Sequence, residues 1–243
     1  MSSEGSMDRG YGAVLASAAV LSTTAVFIRY LTQTYHLPPL VLALWRNIFT
    51  VFTLPLVLKL RWPHLLYIKR QHLAYLVSYG LVLAAFNSMW TLSVAFNGAA
   101  VGTVLVYCSA TFTAVLGWML LRERLDVVKL IVVLASMLGC FYVSGASSPG
   151  LWRSNATGLV TGVLSGLSYA GYSLMGRSVS QRGLNPWTTL LYTFTFAGVF
   201  LFAVNLLPLS VPGAASDITE LLWLGRSISG WVILLRHRYM VVC

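Results

Sequence analysis

The chemistry this chain could do begins with a guanidinium set in an apolar run. Arg46 lies between Pro39 and Leu60, a stretch that otherwise holds thirteen Leu, Val, Ile and Phe residues. A cation at the centre of a membrane helix costs about 2.5–3.5 kcal/mol on insertion scales, so such a residue calls for a reason. Arg46 either meets an anionic or carbonyl-bearing solute, or reaches outward to water or to the backbone carbonyls of a neighbour. Other polar groups sit in similar runs. Asn87, Trp90 and Val94 share one helical face, and Thr103, Tyr107, Thr111 and Ala114 form a stripe of small and polar groups on the next run. Tyr169 and Tyr172 fall near the middle of a later run, where each phenol needs a hydrogen-bond partner. Arg46, Asn87, Trp90, Tyr107, Thr111, Tyr169 and Tyr172 are therefore the candidate solute contacts. Their alternative role is packing, since small and polar stripes also hold membrane helices together. Trp45, Trp118, Trp187 and Trp223 read as packing or interfacial anchors.

These groups can bind a solute but not transform one. All six acids, Glu4, Asp8, Glu123, Asp126, Asp217 and Glu220, lie outside the apolar cores, so no buried carboxylate is placed to shuttle protons. His36, His64, His72 and His237 stand at helix ends or in joints, and neither HExxH nor GxSxG occurs. Neither an enzyme, a metal nor a cofactor is expected. Glu123, between Arg122 and Arg124, reads as part of an interfacial ion pair. Cys108 and Cys140 lie in apolar runs and Cys243 ends the chain, so the cysteines form no disulfide framework and read as small hydrophobes.

The elements that must position the candidates are membrane helices. With 58% hydrophobic and 9% charged residues over 243 positions, too few charges are present to coat a water-soluble surface. The runs lack the period-two alternation of a β-barrel. The net charge of +10 is spread over alternate joints, leaving no stripe for a nucleic-acid backbone. We place helices over residues 11–31, 39–60, 72–96, 99–121, 127–144, 156–176, 187–207 and 217–235, about eight spans of an all-α polytopic protein. With the amino terminus inside, Lys59, Arg61, Lys69, Arg70, Arg122, Arg124, Lys129, Arg177, Arg182, Arg236 and Arg238 fall on the inner side, while Arg29 and Arg153 fall outside. The joint from Lys59 to His72 interleaves basic and aromatic residues, as a headgroup-layer segment or an ordinary anchored loop would. Gly145 to Asn155 reads as a flexible linker, and Asn155-Ala-Thr157 matches a glycosylation acceptor.

Gly12 opens the first helix and Pro38 lies in its exit loop; Gly158 and Pro186 repeat that phase at the sixth. Five helices separate the two starts, so the second unit must cross in the opposite sense, as in the inverted repeats of secondary transporters. Ala95-Phe-Asn-Gly-Ala-Ala-Val-Gly102, the stripe Thr103, Tyr107 and Thr111, the ending Leu121-Arg-Glu-Arg-Leu125 and Gly139 together resemble the EamA unit of the drug/metabolite transporter superfamily. Arg46 and Leu221-Leu-Trp-Leu-Gly225 also resemble that family's pattern. The resemblance implies two inverted five-helix units around a central solute cavity, in a permease or exporter working by alternating access. It implies units at residues 11–144 and 156–235 with a tail at 236–243. No counterpart of Ala99 to Ser144 follows in the second unit, so that unit is expected to be incomplete.

The final span is marginal. Leu221 to Leu235 gives about 22 Å of helix against a core near 30 Å. Its eight Leu, Ile and Val contribute roughly −2 to −5 kcal/mol, which a central Arg226 largely cancels. A divergent or frameshifted ending after Leu235 is the expectation. The expected partners are a small solute and the lipid bilayer, with a homodimer as one way to close an open wall, and nucleic acid is excluded. The expected location is a bacterial cytoplasmic membrane. The alternative function is a truncated, non-transporting membrane protein or scaffold.

Overall fold

Inside hydrocarbon every backbone N–H and C=O must find its partner within the protein, so apolar stretches of this length become helices. The computed structural model describes residues 4–68, 70–121, 127–144 and 149–206. Among them run α1 (Glu4–Thr34), α2 (Pro39–Arg61), α3 (Leu73–Asn97), α4 (Ala99–Val106), α5 (Ser109–Leu121), α6 (Val127–Val143), α7 (Pro149–Gln181) and α8 (Pro186–Leu206). Short 3₁₀ turns at Pro63–Leu66 and Arg70–His72 fill the joint between α2 and α3. Among the described residues five stretches are long and apolar enough to cross a bilayer: Leu15–Thr34, Pro39–Arg61, Arg70–Asn97, Ala99–Met119 and Pro186–Leu206. The chain is an all-α polytopic membrane protein.

α3 is the hub, packed against α1, α2, α4, α7 and α8. Its partner α7 runs antiparallel along its whole length. At one end Asn97 donates to the Gly158 carbonyl at 2.7 Å, and at the other the Tyr75 hydroxyl donates to the Met175 carbonyl at 3.0 Å. α7 therefore crosses wherever α3 does. α8 closes the other flank, where a Cβ added to Gly80 would lie 2.5 Å from the Phe196 Cβ, so α3 and α8 meet backbone to backbone there. α2 and α8 are antiparallel, joined by Asn205 Nδ2 donating to the Leu40 carbonyl at one end and by stacked Trp62 and Trp187 at the other. Thr188 and Tyr192 donate to the carbonyls of Leu65 and Leu66, which fastens the α2–α3 joint onto α8. α6 lies at the edge, with most of its described side chains exposed.

Three features depart from the sequence expectation. The span over 99–121 breaks into α4 and α5, because Tyr107 and Cys108 turn back by i→i+3 bonds to Val104 and Leu105. The stretch read as a linker up to Asn155 is helical from Pro149, and Asn155 is the kink, with φ −144° and ψ 40°. Its side chain explains the new start. Asn155 Oδ1 accepts the Gly158 N–H at 3.2 Å, as an N-cap does, while its Nδ2 donates to Asn97 Oδ1 and to the Phe96 carbonyl. Asn155 thus acts as a cap tied into α3. Finally, α1 begins at Glu4 rather than Tyr11, although its apolar part begins only at Leu15. The joint 122–126, residues 145–148, and the eighth helix and tail beyond 206 lie outside the described residues.

Candidate functional site

Helical spacing on α3 places Asn87, Trp90, Thr91 and Val94 toward α1 and α2. Val94 and Trp90 pack into an apolar cluster with Ala25, Ile28 and Leu31 of α1 and Leu42 of α2. Where that cluster ends, Arg46 enters from α2. Its guanidinium donates a short hydrogen bond to Asn87 Oδ1 and lies 5.1 Å from the centroid of the Trp90 ring. Thr91 is held in turn by its own donation to the Asn87 carbonyl at 2.7 Å. Asn87 is 5% exposed, and its buried Nδ2 has no hydrogen-bond partner among the described residues.

A cleft of about 70 Å³ opens beside the guanidinium. Thr24, Phe27, Ile28 and Leu31 of α1 form one wall, Leu42, Trp45, Arg46 and Phe49 of α2 the other, and Thr91 closes it on α3. The lining is apolar apart from Arg46 and two threonines. A charge-assisted hydrogen bond contributes about 1.5–3 kcal/mol and a desolvated cation–π contact up to about 2 kcal/mol, together enough to offset the cost of holding an arginine here. Arginine stays protonated whatever its surroundings, so the cleft carries a fixed positive head against greasy walls.

Of the seven candidates, Arg46, Asn87 and Trp90 come together. Tyr172 and Tyr169 join a neighbouring aromatic row, with Tyr172 stacked on Tyr79 at 4.8 Å and Tyr169 against Phe86 at 5.0 Å, and Phe86 stacked on Trp90 at 6.2 Å. That row links them to the guanidinium through rings, not through the cleft. Thr111 is buried and donates to the Val133 carbonyl of α6 at 3.4 Å, a bond between packed helices. Tyr107 is 64% exposed on the outer face of the α4–α5 break, away from the cleft.

The sequence reading missed Thr91, Thr24, Phe27 and the cleft role of Trp45. Thr91 stands four residues after Asn87, so the shared helical face was the available signal. Thr24, Ile28 and Leu31 likewise follow helical spacing on α1, but nothing in their types separates a cleft wall from ordinary packing. Among the described residues no cluster of His, Cys, Asp or Glu could hold a metal ion.

Residues 8–145 match the EamA-like transporter family. YxxF, an uncharacterized transporter of Bacillus subtilis (strain 168), is 30% identical over 110 residues, which are 45% of this chain and 33% of that protein. sll1319, an uncharacterized transporter of Synechocystis, is 25% identical over 107 residues, or 44% of this chain and 32% of that protein. The alignments thus span about a third of the length of these curated relatives. No solved structure matches the chain. With more than half of its residues matched, and with its helices packed as membrane spans, the chain belongs to the EamA-like transporter family.

Proposed function

We propose that this chain is a carrier for a small organic solute, moved by alternating access, whose anionic or carbonyl head is held at Arg46. The assembly of Arg46, Asn87 and Trp90 beside an apolar cleft carries this reading. A planar fork of donors suits a carboxylate or carbonyl, and the walls suit an apolar body. Membership in a transporter family, and relatives named as transporters, support carriage across the bilayer over a static role. In this reading residues 11–144 form the first unit and 156–235 the second, related as inverted units.

Charge supports an inward amino terminus, and relatives from Bacillus subtilis and Synechocystis support a bacterial cytoplasmic membrane. Lys59, Arg61, Arg70 and Arg182 belong to the end of the bundle where Trp62 and Trp187 stack, and Arg29 bonds the Ala95 carbonyl near the other. That asymmetry is the positive-inside pattern.

The test is uptake into liposomes holding the 243-residue chain, with short apolar monocarboxylates compared against their amides. Arg46→Gln is expected to lower carboxylate uptake at least tenfold. Asn87→Asp keeps the shape and hands Arg46 an internal carboxylate, so it should weaken carboxylate uptake while sparing the amide. Equal uptake by wild type and a folded Arg46→Gln chain would remove Arg46 from the path. A folded wild-type chain that moves neither solute class would sink the carrier reading.

A further inference from the structure

The joint between α2 and α3 is not a free loop. Thr188 and Tyr192 of α8 donate to the carbonyls of Leu65 and Leu66 at 2.7 and 3.0 Å, and Ile68 packs against the buried cluster of Leu76, Tyr79 and Val179. Trp62 stacks on Trp187 with ring centroids 6.3 Å apart. The backbone and the apolar side of the joint are thus committed to the bundle. Its other side chains are held outward on a firm base, and Lys59, Arg61, Tyr67 and Arg70 are all exposed.

Two properties of this outward set point to one kind of partner. Lys59, Arg61 and Arg70 meet no carboxylate among the described residues, whereas Arg182 at the same end of the bundle is already seated 4.2 Å over the Tyr75 ring. Apolar groups are interleaved with the three cations, with Leu60 79% and Tyr67 85% exposed. An acidic protein or a nucleic acid would answer the charge and leave those apolar groups in water. The boundary between lipid headgroups and acyl chains answers both. On α2, Phe52 and Leu56 precede Lys59 by seven and three residues, so they share its face, and both are exposed. An apolar strip therefore leads from the cations along the helix into the depth of the membrane.

We propose that the α2–α3 joint and this face of α2 bind an anionic phospholipid, in the leaflet at the amino-terminal end of α1. Arg61 and Arg70 offer planar forks of donors to the phosphate, and Lys59 lays its stem along the strip with its ammonium at headgroup level. Trp62 and Tyr67 flank the glycerol region, and an acyl chain follows Leu56 and Phe52. Each cation beside an anionic headgroup contributes about fivefold in affinity.

The experiment uses the full 243-residue chain in detergent, with bound lipid counted by native mass spectrometry. Dioleoyl-phosphatidylglycerol is expected to bind about tenfold or more tightly than dioleoyl-phosphatidylcholine. The triple variant Lys59→Gln, Arg61→Gln and Arg70→Gln should lose that preference. A matched triple, Arg122→Gln, Arg124→Gln and Lys129→Gln, removes the same charge from another basic joint and should keep it. No loss in the first triple, or an equal loss in both, would overturn the site. A measurement on the unaltered chain tests the path of the lipid independently. Phosphatidylglycerol with a photoreactive diazirine in its acyl chain should label α2 between Phe52 and Leu60 several times more than the exposed face of α6, and even labelling would overturn the strip. Glycerol phosphate, the headgroup without chains, should leave the bound lipid in place, and its displacing the lipid would reassign the cations to a soluble anion.

Discussion

Glycines on α7 and on α6 look alike in sequence and do different work. Along the α3–α7 seam a Cβ on Gly158 would lie 2.5 Å from Asn97 Oδ1, and one on Gly162 would run into Leu105 and lie 2.8 Å from Ser93 Oγ. On α6, a Cβ on Gly139 would meet nothing within 4 Å. The first pair lets side chains of α3 and α4 seat against the α7 backbone, whereas the last faces open space among the described residues. A small residue is a packing device only where a neighbour takes up its missing side chain.

That contrast can be broken most directly by filling the glycines. Gly162→Leu should cost about 3 kcal/mol or more and remove most folded protein, read as the monodisperse fraction after detergent extraction. Gly139→Ala should be neutral or raise stability by up to about 1 kcal/mol, because alanine favours helix and no contact is lost. If both changes behave alike, the seam is not where the fold is held. Asn155→Ala comes next, with a loss of about 1–2 kcal/mol in thermal unfolding, since it removes an N-cap and two bonds to the end of α3. Thr111→Val sharpens the flank side. Its bond to the Val133 carbonyl is long at 3.4 Å, and replacement should shift stability by less than about 0.5 kcal/mol. A loss as large as that of Asn155→Ala would place α6 within the load-carrying core.

Most of the helices were legible because hydrocarbon leaves the backbone few options. α2, α3, α6 and α8 begin and end within a residue or so of the positions read from apolar runs. The break at Tyr107 was not legible, for no proline or positive-φ glycine marks it, and only the tertiary bond from Cys140 to Val104 shows what the turn serves. The tripeptide at Asn155 matches an acceptor pattern, but nothing in it signals that the amide bonds Phe96 and Asn97 from across the fold. Arg46, Asn87 and Trp90 stand out in the sequence because charge and amide are rare in apolar runs, and the structure brings the three side chains together. Tyr107 and Thr111 shared a pattern with them but not a place, since a stripe tells which residues share a face and not what that face meets.

The helix that packs along the whole of α3 is also one that composition undersells. α7 runs the full length of α3 yet does not figure among the five stretches long and apolar enough to cross by themselves. Its glycines, serines and tyrosines serve the seam at the expense of hydropathy. Such a segment gains little from partitioning alone at the moment of synthesis. α3 leaves the ribosome earlier and supplies the groove that α7 fits, so the bilayer accepts the later helix through the earlier one. Membrane integration and folding of this half of the protein are then a single event, and a defect in α3 would appear first as α7 left outside the membrane.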